Sequence, residues 1–178
     1  MSVAYYNFTD PRDGTVYPCV QMPDGKWWFA KNLSYATPNS QTYNHDPANE
    51  TIYGRLYTWG DLANACPSGC HIPTDDEWTT LTTAIGDDAG TKLKANSSLW
   101  STNTGTDAYG FSVLPAGYRL DGGAFGSLGG YALFWSSSEY DASHAWSRYF
   151  DYADASVYRT TFDESNGLSL RCIVDEVS

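Results

Sequence analysis

Residues 133–174 constrain the fold of this chain more than any other stretch. The stretch opens on an apolar Phe-Trp pair, and residues 168–174 alternate apolar and polar side chains, which is the period of a half-buried strand. Most residues between these ends are Tyr, Asp, Ser, Arg, Thr and His, and we expect Trp146, Phe150 and Val157 to turn inward and hold the strands. Two interpretations stay open. One is a recognition surface, because Tyr offers a large contact area at low entropy cost; the other is an ordinary solvated sheet face with polar turns.

The length and charge of the chain limit the classes of function. A chain of 178 residues fits one domain, residues 1–178, with a substantial core. The net charge of -11 argues against binding to nucleic acid or to an anionic membrane surface, since both need clustered basic residues. No apolar run approaches the length of a membrane span, so we expect no membrane insertion. The opening MSVAYYNFTD lacks the basic and apolar regions of a secretory signal.

The first part of the chain predicts a hairpin and then a long loop. Residues 15–21 and 26–30 read as strands, and Pro-Asp-Gly between them is typical of a turn. Residues 32–50 are rich in Asn, Ser, Thr and Pro, which predicts a loop, and His45 within it is expected to be exposed without a partner.

The next part predicts helices. Residues 57–65 are compatible with a short helix, and residues 87–95 with a further helical turn. Between them the clearest signal is the capping box Thr74-Asp75-Asp76-Glu77, which precedes apolar residues at helical spacing and a stop at Gly86. The acidic pair Asp75-Asp76 is expected to cap the helix rather than to bind a metal, because the helix dipole favours negative charge there.

The remaining segments complete the predicted fold class. Residues 111–114 are expected to start the sheet region, and residues 121–130 to form a flexible Gly-rich loop, because no Lys and no following helix are present to cradle a phosphate. A hairpin, then helices, then three or four antiparallel strands is an α+β organisation. We therefore expect two helices with a twisted antiparallel sheet and long loops.

The four cysteines leave several interpretations open. Cys19, Cys66, Cys70 and Cys172 allow three disulfide pairings if all are oxidised. A zinc site would need Cys19 and Cys172 to converge on Cys66, Cys70 and His71, so structural disulfides or buried thiols are favoured.

Six motifs in a fixed order resemble one family. They are YGRLYTW (53–59), CPSGCHIPTDDEW (66–78), DAYGFSVLPAGYR (107–119), FWSSSEY (134–140), AWSRYF (145–150) and NGLSLRCIV (166–174). Together they resemble the Fibrobacter succinogenes major paralogous domain of bacterial surface proteins, which is related to the C-type lectin fold and to the fold of formylglycine-generating enzymes. The resemblance implies a C-type lectin-like fold over nearly the whole chain.

Two cysteines depart from the family pattern. The family usually has Trp where this chain has Cys70, and a cysteine is not usual at the position of Cys19. The joint departure implies a Cys19–Cys70 bridge, which leaves Cys66 and Cys172 as the second pair.

The C-terminal segment also resembles the variable proteins of diversity-generating retroelements. Adenine-directed mutation of Asn codons in such proteins yields many residue types but not Trp, Lys, Gln, Met or Glu. In residues 140–165 only Trp146 and Glu164 fall outside the permitted set, and both are interpreted as fixed scaffold positions.

The resemblance does not bring a chemical activity with it. The calcium-dependent sugar-binding motifs of C-type lectins are missing, and Cys172 has no neighbouring cysteine in sequence like the active pair of the formylglycine-generating oxidases. No Ser-His-Asp arrangement is evident. We therefore expect no enzyme activity, no cofactor and no metal.

The predicted function is recognition of a protein or cell-surface ligand at a virion or cell surface. Residues 133–174 would carry the binding face on a framework of Trp135, Trp146, Phe150 and Cys172, and the acidic surface favours a basic or neutral partner. The predicted contact residues are Tyr140, Asp141, Ser143, His144, Ser147, Tyr149, Asp151, Tyr152, Asp154, Ser156, Tyr158, Thr160, Thr161 and Phe162. The alternatives are a surface adhesion or structural module without diversification and, third, an oxidase of the formylglycine-generating type. Neither the oligomeric state nor the identity of the ligand follows from the sequence.

Overall fold

A five-stranded antiparallel sheet gathers the two ends of the chain. The computed structural model describes residues 3–177. The strands are β1 (Tyr5–Thr9), β2 (Val16–Gln21), β3 (Trp27–Phe29), β4 (Cys70–His71) and, near the C-terminus, β10 (Ile173–Val174), in the spatial order β1-β2-β3-β10-β4. The predicted hairpin is confirmed as β2–β3, whereas β1 was not predicted.

The C-terminal run does not have the expected half-buried pattern. Every residue from 166 to 174 is buried, and only the last two form the strand β10 between β3 and β4. The prediction was wrong because both sides of the segment are covered by apolar clusters. Arg171, at 1% exposure, tolerates this position because its guanidinium donates to the carbonyls of Phe29, Phe111 and Ser112 and to Asn32 Oδ1.

The helical elements follow local signals closely. The α-helices are α1 (Pro47–Tyr53), α2 (Asp75–Ile85) and α3 (Ala89–Leu93), with 3-10 helices at Tyr43–His45 and Trp59–Asn64. The capping box of α2 is confirmed in both directions, and Gly86 caps its end with φ 78°. The helix predicted at 57–65 is the second 3-10 helix, and the long loop predicted at 32–50 contains the start of α1. His45 is exposed as predicted, although its Nδ1 contacts Gln41 Oε1.

Two segments in the middle of the chain differ from expectation. Residues 111–114 form no strand and make a single bridge, Val113 with Lys94, because Ser112, at φ 56°, interrupts the extended backbone that a strand needs. The Gly-rich run is not entirely a loop, since β6 (Phe125–Gly126) pairs with β5 (Tyr118–Arg119). Gly117, at φ 65°, permits this hairpin to close, because a Cβ there would lie 2.3 Å from the Gly126 carbonyl oxygen.

The third sheet carries the segment that the sequence singled out. Its strands β7 (Tyr131–Asp141), β8 (His144–Asp151) and β9 (Val157–Asp163) are antiparallel neighbours in chain order. One side of this sheet packs on the cluster that includes Trp78 of α2, and the other side contributes Leu133 and Trp135 to the second cluster. The α+β organisation is thereby confirmed, with three α-helices among the described residues instead of two.

One disulfide ties β10 to the loop before β4. It joins Cys66 and Cys172, whereas Cys19 and Cys70 are free thiols, so the implied Cys19–Cys70 bridge is absent. The reason is the strand order, which inserts β3 and β10 between β2 and β4. Cys19 and Cys70 therefore do not lie on neighbouring strands and do not oppose each other in the sheet. Burial raises the pKa of the Cys70 thiol to about 12.

Candidate functional site on the C-terminal sheet

The strand register divides the β7–β9 sheet into two faces. Because side chains alternate along a strand, Tyr149 shares one face with its cross-strand neighbours Leu133 and Tyr158. We call this side the front face. Its residues on the three strands are Tyr131, Leu133, Trp135, Ala145, Ser147, Tyr149, Asp151, Tyr158, Thr160 and Phe162. The opposite side, the back face, packs against α2.

A groove of about 480 Å³ lies on the front face. Leu133, only 3% exposed, lies at its base. The β5–β6 hairpin and the loop that follows it supply the rest of the wall. The lining residues are Tyr118, Leu120, Ser127, Tyr131, Leu133, Tyr149, Asp151 and Phe162. We call this set the front groove. Its volume falls within the range of small-ligand sites, about 300–1,000 Å³.

The aromatic rings of the front groove are held in defined positions. The rings of Tyr149 and Tyr158 stack with centroids 4.7 Å apart, and Tyr131 meets Tyr149 edge-on at 6.1 Å. Tyr158 Oη donates to Asp154 Oδ2 at 2.6 Å, which fixes the outer ring of the stack. The same hydrogen bond raises the pKa of Tyr158 and lowers that of Asp154. Aromatic pairs in these orientations are favourable, so the surface is preorganised.

Asp151 is the only charged residue that lines the front groove. Its Oδ1 accepts from the backbone N–H of Ala153, and Tyr131 is its cross-strand partner. The proximity of the Asp151 charge raises the pKa of Tyr131. The groove therefore offers ring faces and edges, the hydroxyls of Ser127 and of its three tyrosines, and one carboxylate.

The structure separates the fourteen predicted contact residues into four groups. Six belong to the front face: Ser147, Tyr149, Asp151, Tyr158, Thr160 and Phe162. Two belong to the back face: His144 and Thr161. Tyr140, Asp141 and Ser143 lie at the β7–β8 turn, and Tyr152, Asp154 and Ser156 at or near the β8–β9 turn.

A single binding face made of all fourteen residues is therefore wrong. The period of two sends alternate residues to opposite sides, and the two turns lie at opposite ends of the sheet. Ser147 faces front but is fully buried, and its hydroxyl donates to the Thr160 carbonyl, so it is part of the framework.

The predicted framework residues also divide. Trp135, Phe150 and Cys172 are completely buried, as predicted. Trp146 instead is half-buried on the back face, where the Arg159 guanidinium lies 3.4 Å from its ring centroid and Tyr140 contacts it edge-on at 4.9 Å.

Asp75 has a second role that the capping prediction missed. Its carboxylate accepts from Arg148 Nη1 at 2.6 Å and from Arg159 Nη2 at 2.7 Å, across the back face. Burial alone would raise the pKa of Asp75, but the hydrogen bonds from Arg159 and Arg148 outweigh it and lower the pKa. This ion pair attaches the start of α2 to β8 and β9.

His71 lies in a different groove, beside Cys70 and Trp59. Its ring contacts Glu77 and Asp175 through its two nitrogens. Burial opposes the charged form, but the hydrogen bonds with Asp175 and Glu77 prevail, so the pKa of His71 is raised. None of the fourteen predicted contact residues lines this groove.

Sequence reasoning missed five residues of the front groove: Tyr118, Leu120, Ser127, Tyr131 and Leu133. For two of them a signal exists, because Tyr131, Leu133 and Trp135 alternate in YALFW and so share one face. Of the other three, Ser127 lies in the run 121–130 that was predicted as a loop, whereas Tyr118 and Leu120 belong to the β5–β6 hairpin, which was not predicted.

The comparisons with known proteins place the chain in a family. No helix among residues 3–177 is both long and apolar enough to cross a membrane. Neither a curated protein nor a solved structure gives a significant match. The family model for the Fibrobacter succinogenes major domain matches residues 23–174, and these residues include all three sheets except the strands β1 and β2. Because the match covers most of the chain, the protein belongs to the Fibrobacter succinogenes major domain family.

Proposed function

We propose that this chain is a ligand-binding protein and that the front groove is its recognition site. The observation that carries the proposal is the concentration of four aromatic side chains and one carboxylate in one groove over the front face: Tyr118, Tyr131, Tyr149, Phe162 and Asp151. Aromatic anchors with a few polar groups are typical of binding sites.

The backbone behind the groove supports this role. Trp135, fully buried, donates from Nε1 to the Tyr57 carbonyl at 2.7 Å, and Ser136 Oγ donates to the Trp146 carbonyl. Rings mounted on a fixed backbone lose little entropy when a ligand binds. The groove needs no rearrangement to present its aromatic surface.

We propose further that the fold is C-type lectin-like and that a diversity-generating retroelement varies the C-terminal strands. The two residues outside the codon set of such systems have framework contacts that support this. Trp146 is covered by Arg159, and the backbone of Glu164 bonds to Ser143 and to Trp59. The proposal predicts a near-copy of the last coding segment beside a reverse transcriptase gene, differing at template adenines. If the neighbourhood contains no such copy, the alternative of a non-diversified surface adhesion module takes its place.

Display on a virion or cell surface and the lack of enzyme activity belong to the same proposal. Cys172, the cysteine nearest the C-terminus, is fully buried in its disulfide, which supports a structural role. If the purified protein had an oxidase activity and Cys172→Ala abolished it, the binding proposal would be overturned.

The binding test uses the fluorescently labelled protein on a peptide array and a glycan array. We expect bound features whose signal disappears in the Tyr118→Ala, Tyr131→Ala, Tyr149→Ala triple variant, because all three tyrosines line the groove. Tyr5→Ala and Tyr140→Ala are matched controls, because these tyrosines are 65% and 57% exposed and neither lines the groove. Thermal unfolding must show that the triple variant is folded. Unchanged binding by a folded triple variant, or no bound feature with the wild type, would count against the proposal.

A further inference from the structure

The chemistry of the front groove restricts which ligands fit it. Its lining contains four aromatic rings, three of which carry phenolic hydroxyls, the aliphatic Leu120 and Leu133, the Ser127 hydroxyl and the single carboxylate of Asp151, with no basic residue. An anionic ligand would meet an uncompensated carboxylate and the negative ring faces. The net charge of the chain, -11, also disfavours the binding of an anion.

The buried ammonium of Lys94 interacts electrostatically with Asp151, but the two side chains form no ion pair. Lys94 is completely buried under the β8–β9 turn, and its ammonium donates to Thr104 Oγ1 and to the backbone carbonyls of Asp151 and Asp154. Asp151 itself is in no ion pair among residues 3–177. Its carboxylate therefore remains available to a cation from outside.

The rings around Asp151 are arranged to accept that cation. Tyr131 is the direct cross-strand neighbour of Asp151, and Tyr149, on the same face, lies between Tyr131 and Tyr158. Tyr118 and Phe162, with centroids 6.3 Å apart, form a second aromatic pair in the same groove. A cation within about 6 Å of a ring centroid is attracted by the ring quadrupole, and more strongly where water is displaced.

We propose that the front groove takes up a lysine or arginine side chain presented by a protein partner. The aliphatic stem would lie on Leu133 and the rings, and the charged head would meet Asp151. This inference rests on the proposed function, because it names the ligand class of the same groove. A long cationic side chain fits better than a compact ion, since the groove combines an apolar base with one charged end.

The test compares two probes that differ in one charged group. N-acetyl-lysine methylamide and N-acetyl-norleucine methylamide share the aliphatic stem, and only the first carries an ammonium. In titrations followed by amide NMR, we expect both to shift resonances of β7, β8 and β9. The lysine probe should bind about fivefold to tenfold more tightly. Added salt should reduce the difference in affinity between the two probes, because it screens the charge of the ammonium.

Matched variants locate the charge that is responsible. Asp151→Asn should remove most of the preference for lysine, whereas Asp76→Asn, an equal change of charge at an exposed position on α2, should leave it intact. Tyr149→Leu should weaken binding of the lysine probe more than that of the norleucine probe, because it removes a ring face but keeps an apolar side chain.

The outcomes separate this inference from the proposed function. Equal affinities for the two probes would overturn the cation site and leave a groove that binds apolar ligands. Choline binding at least tenfold more tightly than the lysine probe would replace the protein partner with a quaternary ammonium headgroup. If no probe shifts the groove, the cation inference fails, whereas the proposed function is decided by the array binding and its triple variant.

Discussion

Replacing Asp75 with Asn should destabilise the fold strongly. Arg148 is 2% exposed at its side chain and Asp75 10%, and the two are joined by a 2.6 Å hydrogen bond. Arg148 also donates to the Asp75 carbonyl and to Thr79 Oγ1, so the guanidinium cannot leave without breaking these contacts. An uncompensated buried charge of this kind costs about 3–5 kcal/mol.

This magnitude can be checked against two partner variants. Arg159 contacts the same carboxylate but is 47% exposed, so Arg159→Ala should cost only about 1 kcal/mol, including its contact with Trp146. The double variant Asp75→Asn, Arg148→Met should recover at least half of the loss, because an apolar side chain of similar length removes the unpaired charge.

Urea unfolding measures these differences in the free energy of unfolding, provided that its dependence on urea concentration is the same in all variants. For a domain of this size, the Asp75→Asn loss corresponds to a fall in melting temperature of about 6–20 °C. The pKa of Asp75 is lowered in the folded state, so its contribution is present above about pH 4 and disappears as the pH falls through the folded pKa. Wild-type stability should therefore fall more steeply in acid than that of Asp75→Asn. A loss below about 1 kcal/mol in Asp75→Asn, or no recovery in the double variant, would refute the reasoning.

Three further predictions concern other parts of the fold. Reducing the Cys66–Cys172 bridge, which spans 106 residues, should lower the free energy of unfolding by about 4–5 kcal/mol, measured in urea with and without reductant; a difference below about 1 kcal/mol would contradict it. Gly90→Ala should destabilise the protein by about 1–3 kcal/mol, because the new Cβ would lie 2.3 Å from the Ser156 carbonyl oxygen in the β8–β9 turn. The control Gly122→Ala, with open space around it, should change the free energy of unfolding by less than about 0.5 kcal/mol. The pKa of His71, followed by NMR, should lie above the ordinary value of 6.5. The protonated side chain should then stabilise the fold fully below pH 6.5, and this stabilisation should be lost as the pH rises through the folded pKa. A midpoint at or below 6.5 would show that the carboxylate contacts do not favour the charged form.

Short-range signals predicted the local structure well. The capping box before α2, the stop at Gly86 and the hairpin β2–β3 each depend on residues close together in the chain, and all three are confirmed. Where a turn joins two weakly apolar segments, as in β5–β6, the pattern was too short to reveal a hairpin. The complete burial of residues 166–174 could not be predicted from the sequence either, since it depends on which elements cover the segment.

The candidate site depended on tertiary structure in the same way. The sequence alone determined the ends of α2, the presence of antiparallel strands near the C-terminus, the acidic composition and the motif series of the family, because these are properties of composition and of local periodicity. The number of those strands was predicted only as three or four. Tertiary packing decided that Tyr149, with Tyr158 stacked on it, faces a groove completed by Tyr118. It also decided that Arg148 finds its partner 73 residues away. The physical reason is that partner choice over such distances is set by burial and strand order across the whole chain, and no local pattern records it.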